Sequence, residues 1–250
     1  MTSMQRKEIR MIKKTFSILT LLGFLIIPVW AQGNGNGGGN GNGNGPKSGF
    51  GGGIAELIAS LPYEDVSTQE RTSLLHMYEE EKLARDVYLT LQEKWKPRIF
   101  QNIAQSEQRH MEAVKRLLEK YFIPLPVEHD TVGYFSKPEI QNLYYDLTSE
   151  GGLSLEKALR VGATIEDLDI YDLIEYLNEA DNTDIRTVYQ NLMKGSRNHL
   201  RAFGHQLENL GLDYEAQYLS QTEVEDILNS PMERGMLDEN GDPIFGNTGW

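Results

Sequence analysis

Six residues carry the chemistry this sequence could perform. They are Glu81, Glu107, His110, Glu166, Asp169 and His199. Glu107-Gln-Arg-His110 sets a carboxylate and an imidazole three positions apart, so on a helix both project from one face about one turn apart. Both fall on an otherwise apolar stripe: Ile103, Glu107, His110, Val114, Leu117, Tyr121. A buried carboxylate or imidazole is costly unless something satisfies it. A divalent cation would do so, with the carboxylate bridging two ions and the imidazole binding one. The chain has no cysteine, so ligands are limited to oxygen and nitrogen. Hard carboxylate oxygens with imidazole suit iron or manganese.

These residues need helices to position them. Apolar residues recur at three and four, and β-branched alternation is scarce, so the sequence predicts an all-α fold. A short helix is expected over Gly53 to Leu61, ended by Pro62. Four long helices follow, over Thr68 to Glu93, Arg98 to Tyr121, Ser154 to Ala180, and Asn182 to Gly211. The inward stripe of the first reads Leu74, Tyr78, Glu81, Ala84, Tyr88, Leu91, Trp95. The third reads Leu155, Leu159, Gly162, Glu166, Asp169, Leu173, Leu177, and the fourth Val188, Leu192, Ser196, His199, Phe203, Leu210. The first two helices, like the last two, are joined by short links. Residues 122 to 153 form a long connection with its own helix, which the spacing Ser136-Lys-Pro-Glu139 predicts to start with a capping box. Another capping box, Ser220-Gln-Thr-Glu223, predicts a last short helix. Short, long and short links describe a four-helix bundle with one long crossover connection, the ferritin-like topology. Each long helix interrupts its stripe near the middle, so antiparallel packing brings the six residues to one depth.

The ends read differently. Residues 1 to 31 combine a basic start, a 15-residue apolar run (15 to 29) and Val29-Trp30-Ala31. That is the pattern of a signal peptide cleaved after Ala31. It predicts an exported protein, periplasmic or secreted, that meets a membrane only if the signal stays uncleaved. Residues 32 to 53 are Gly/Asn-rich and predict a flexible linker. The bundle domain is assigned to 54 to 228 and an irregular tail to 229 to 250. Removing the signal leaves 19 basic and 36 acidic residues, a net of −17. Such a surface repels nucleic acid and attracts cations. Metal ions are the expected partners, and a homodimer is compatible with the sequence. His76, His129 and His205 are expected at the surface. Tyr78, Tyr88, Tyr145 and Tyr189 are expected as core aromatics.

The stretches EEEKLARDVY (79 to 88), FQNIAQSEQRHMEAV (100 to 114), VGATIEDLDIYDL (161 to 173) and GSRNHLRAF (195 to 203) resemble ferritin-like proteins, most closely the exported domain-of-unknown-function 2202 (DUF2202) family. The resemblance covers roughly residues 54 to 225. Glu81-x-x-Ala84-x-x-x-Tyr88 is similar to the first helix of rubrerythrin-type proteins and selects Glu81 over Glu79 and Glu80. The resemblance implies a site of two iron ions, with manganese as the alternative, and oxidation of Fe(II) by oxygen or peroxide. Glu107 would bridge, Glu81 and Glu166 would act as further carboxylates, and His110 and His199 would take one metal each. Ser196 stands where the resemblance expects a second Glu-x-x-His glutamate. Asp169 could compensate; otherwise the site is altered, mononuclear or tuned to another metal. Two other functions stay open. One is a non-catalytic envelope binding or stress-response bundle with a hydrogen-bonded polar core. The other is a manganese catalase-like peroxidase.

Overall fold

Ser67 begins the first long helix by a reciprocal cap. Its hydroxyl accepts from the Glu70 amide at 3.1 Å, and the Glu70 carboxylate accepts from the Ser67 amide at 2.9 Å, which satisfies two amides that a helix start leaves open. The structure, a computed structural model, describes residues 50–127 and 129–244. The expected signal peptide, and the part of the expected Gly/Asn linker before residue 50, lie outside the described residues.

Seven helices and no strand occur among the described residues: α1 (Phe50–Ser60), α2 (Thr68–Trp95), α3 (Arg98–Lys120), α4 (Pro138–Gly151), α5 (Leu155–Glu179), α6 (Thr183–Glu208) and α7 (Gln221–Asn229). The fold is all-α. α1 starts at Phe50, three residues before the expected Gly53, so the end of the predicted linker is helical. α2 ends at Lys96, which takes a left-handed conformation (φ 67°) just before Pro97. α6 stops at Glu208, so Leu210 lies beyond the helix and is exposed. The Ser220–Glu223 capping box forms as expected. The one at Ser136 does not: α4 begins at Pro138 after Lys137, with no side-chain cap.

α2 packs along α3 and α5 along α6, and the two pairs meet through α2 on α5 and α3 on α6. α4 lies against α2 and α5, α1 against α3 and α6, and α7 against α6. The stripe on α3 is buried along its whole expected length. α2 is enclosed much further: Glu79, Glu80, Lys82, Arg85 and Asp86 are buried beside the apolar positions. The α3–α4 connection covers this extra face. Lys82 donates to Asp86 (2.5 Å) and to the Thr131 carbonyl (2.9 Å), with its ammonium over the Phe135 ring. Arg85 donates to both Asp130 oxygens, the Gly133 amide donates to Asp86, and Lys137 pairs with Glu79.

Among the described residues after α7, which end at 244, there is no regular element beyond one isolated bridge, Leu237 with Pro243, yet this stretch is held firmly on α6. Glu233 accepts from Arg197 and Arg201, and Asn191 both donates to and accepts from the Leu237 backbone. Buried apolar residues divide into two clusters. One contains Ala84, Tyr88, Phe100, Ala104, Ile165 and Phe203; the other contains Met77, Met111, Val114, Leu173 and Leu192. The break falls between Tyr78 and Leu83 on α2, Ala104 and Met111 on α3, Ile170 and Leu173 on α5, and Leu192 and Leu200 on α6.

Candidate metal centre

Glu107 stands at that break. One of its oxygens lies 2.7 Å from His110 Nδ1 and the other 2.8 Å from His199 Nδ1. Glu81, from α2, reaches His110 Nδ1 at 3.2 Å; Glu166, from α5, reaches His199 Nδ1 at 3.4 Å. Two groups of three donors result, Glu81–Glu107–His110 and Glu107–Glu166–His199. Within each group the ligand atoms lie within 4.8 Å of one another, and Glu107 belongs to both. All five side chains are buried. The two imidazoles stack at 5.5 Å between centroids and 25° between planes.

Asp169 is buried one turn along α5 from Glu166 but belongs to neither group. Burial raises its carboxyl well above the usual range, and Glu166, Glu81, Glu80 and Glu107 raise it further. Ser196 is buried and donates to the Leu192 carbonyl at 3.3 Å. It adds no carboxylate, so the geometry contains three glutamates and two histidines.

The electrostatics follow from burial and crowding. Burial raises Glu81 to about 8, against the lowering by His110. Burial and the charge of Glu107 raise Glu166 to about 7. Burial also acts to raise Glu107, but the two imidazoles outweigh it and hold it well below the usual range. Burial opposes a charge on His110, yet Glu81 and Glu107 raise it to about 9. His199 is raised in the same way by Glu107 and Glu166.

Polar satisfaction is incomplete. Glu81 Oε1, Glu107 Oε1, Glu166 Oε2 and His199 Nδ1 are buried without a hydrogen-bond partner. Glu107 Oε1 and His199 Nδ1 face each other closely but not in hydrogen-bonding geometry. Unpartnered buried polar atoms are rare and costly. Four in one cluster, all on residues able to ligate, fit a pair of cations held between them. Three carboxylates, two imidazoles and no sulfur form a donor set for iron or manganese.

One supporting residue was not singled out by the sequence. Gly195 on α6 abuts the His110 ring; a β-carbon there would lie 2.5 Å from Cε1 and 2.6 Å from Nε2. A glycine inside a helical pattern was the available signal. Tyr88, expected as a core aromatic, donates to Glu166 at 2.6 Å and packs with Phe100 and Phe203. Tyr78 and Tyr189 are core, whereas Tyr145 is exposed, on the outer side of α4. His129 and His205 are exposed as expected. His76 is not a surface group: it is mostly buried against Glu80 and Tyr176.

Comparison with known proteins places the chain. Residues 70–231 match the family model described as "Uncharacterized protein domain (DUF2202)". The chain belongs to the DUF2202 family. Uncharacterized protein MJ0754 of Methanocaldococcus jannaschii is 58% identical over 181 residues, spanning 72% of this chain and 98% of the relative. The crystal structure of hypothetical protein MJ0754 from Methanococcus jannaschii matches with a TM-score of 0.68 at 57% identity, covering 70% of this chain and 99% of that one. The family match takes in all six candidate residues of this DUF2202 chain, from Glu81 to His199.

Proposed function

We propose that this protein is a ferritin-like four-helix bundle with one long crossover that holds two divalent metal ions and uses them in redox chemistry. Four long helices joined by short, long and short links, with α2 on α3 and α5 on α6, support the topology. The observation that carries the metal reading is Glu107, which offers one oxygen to each of two buried donor groups. Glu81 and His110 would complete one site, and Glu166 and His199 the other. Asp169 belongs to neither group and would stand beside the two sites without ligating.

Fe(II) held in this position would supply one electron per ion to oxygen or peroxide and become Fe(III). The chain's own residues have definable tasks. Glu107 fixes the spacing of the two sites. Tyr88 orients Glu166 by its hydrogen bond, and the Tyr88–Phe100–Phe203 cluster excludes water from that end. The alternative, a non-catalytic bundle with a satisfied polar core, leaves the four unpartnered atoms unexplained. Export belongs to the same proposal, supported by the basic and apolar pattern of residues 1 to 31.

Metal-free protein loaded separately with Fe(II), Mn(II) and Zn(II) tests the reading. We expect about two ions per chain. Glu107→Gln combined with His110→Ala should abolish binding. A wild-type stoichiometry near zero with all three metals overturns metal binding. Bound iron that yields no Fe(III) absorbance on addition of oxygen or peroxide overturns the redox part.

A further inference from the structure

A second polar cluster lies beside the centre and is absent from the scheme above. His76 and Glu80, one turn apart on α2, approach at 3.1 Å. Asp172 on α5 is close enough to Glu80 for the Glu80 charge to raise its carboxyl, which burial already pushes well above the usual range. The Tyr176 hydroxyl lies 2.8 Å from His76 Nδ1. Glu80 and Asp172 are buried, at 6% and 5% exposure, while the His76 side chain retains 14%. Asp172 Oδ2 has no hydrogen-bond partner.

Two carboxylates in contact away from water repel unless a proton or a cation lies between them. Glu175 adds to the negative field on Asp172; burial and, more weakly, Lys137 oppose a charge on His76, but Glu80 and Asp172 raise it to about 9. The cluster is also continuous with the centre. Glu80 adjoins Glu81 in sequence, Asp172 follows Asp169 by one turn, and Asp169 feels Glu80, Glu81, Glu166 and Glu107 together. Glu80, Asp172 and Asp169 therefore form an acidic neighbourhood between the partly open His76 and the two donor groups.

We propose that His76, Glu80 and Asp172 form a cation station through which divalent metal reaches the buried centre. The proposal rests on the metal-binding reading above. The three donors do not close to within 4.8 Å of one another as the groups of the centre do, so the station binds a passing ion loosely and releases it inward. The orphaned Asp172 oxygen supplies an open ligand position, and the imidazole marks the mouth.

The test is stopped-flow filling of the metal-free full chain with Mn(II), with stoichiometry measured at equilibrium. Glu80→Gln combined with Asp172→Asn should still bind the wild-type number of ions but fill about tenfold or more slowly, as expected when a focusing acidic path is removed. His76→Gln leaves both carboxylates in place and should also slow filling; it carries the test if the double variant does not fold. Filling at the wild-type rate in a folded variant overturns the proposal and assigns a shared proton to the pair. Wild-type protein that binds no Mn(II), Fe(II) or Zn(II) would instead overturn the metal reading beneath it.

Discussion

Gly195 lies directly against the imidazole of His110, leaving no room for a β-carbon: Cε1 would stand 2.5 Å from it. A glycine in a helix interior costs about 0.5–1 kcal/mol relative to alanine. Here the steric term reverses that preference. Gly195→Ala should push His110 off its position between Glu81 and Glu107, destabilising the protein by about 1–3 kcal/mol as an overpacked core does. Urea denaturation and metal titration of the variant check both effects. A more stable variant with unchanged affinity would show that the ring yields freely.

Ser196 is where the centre departs from a two-fold carboxylate–imidazole pattern. Ser196→Glu would place a fourth glutamate in a buried region already crowded with carboxylates. Without metal it should lower the melting temperature, because an unpaired buried charge costs several kcal/mol. With Mn(II) the loss should be recovered. The checking measurement is the difference in melting temperature with and without Mn(II), which should be larger than in wild type.

The site was largely legible because its residues break an apolar period. On α3 the only polar members of the stripe are Glu107 and His110, and the helix is amphipathic enough for that to stand out. α2 was harder. Its outer face is polar in sequence, so Glu79, Glu80, Lys82 and Asp86 read as solvated. Glu79, Lys82 and Asp86 are buried because the α3–α4 connection folds over them through Thr131, Gly133 and Lys137, whereas Glu80 faces His76 and α5. A periodicity argument registers only the helix it is applied to and carries no information about a loop arriving from 45 or more residues away. The same limitation hid the burial of His76 against Tyr176 of α5. It also hid the docking of Glu233 and Leu237 on α6, since a segment without period gives no sign of what it packs against.

That covering loop makes a stability prediction. Lys82 is fully buried, and its ammonium faces Asp86, a carbonyl and an aromatic ring. Asp86→Ala would leave the charge without its carboxylate, a change that costs about 3–5 kcal/mol in buried pairs. Chemical denaturation should show that loss. Metal stoichiometry per folded molecule should stay at the wild-type value, because Asp86 belongs to neither donor group.

Tyr88→Phe isolates the support given to Glu166. The loss of a hydroxyl donating to a buried carboxyl should cost about 1–3 kcal/mol. It should weaken the site built on Glu166 and His199 more than the one built on Glu81 and His110. Isothermal titration with Mn(II) would then resolve two unequal affinities. An equal fall at both sites would mean that Glu107, shared between them, transmits the change.

The pH dependence of metal binding has a definite sign. His110 is raised to about 9 by Glu81 and Glu107 against burial, and Glu81 is raised to about 8 by burial. In the metal-free protein the coupled pair therefore holds at least one proton near neutral pH. Ligation needs a neutral imidazole and an ionised carboxylate, so each proton must leave as metal enters. Below about pH 8 the proton competes and affinity falls; above about pH 9 both groups are already free and affinity levels off. Each displaced proton makes the dissociation constant fall about tenfold per pH unit within the competing range. Mn(II) titrations at about pH 6 and 8, with a pH indicator in weak buffer, should show tighter binding at the higher pH and proton release on addition of metal. A dissociation constant independent of pH, with no proton release, would place metal binding away from His110 and Glu81.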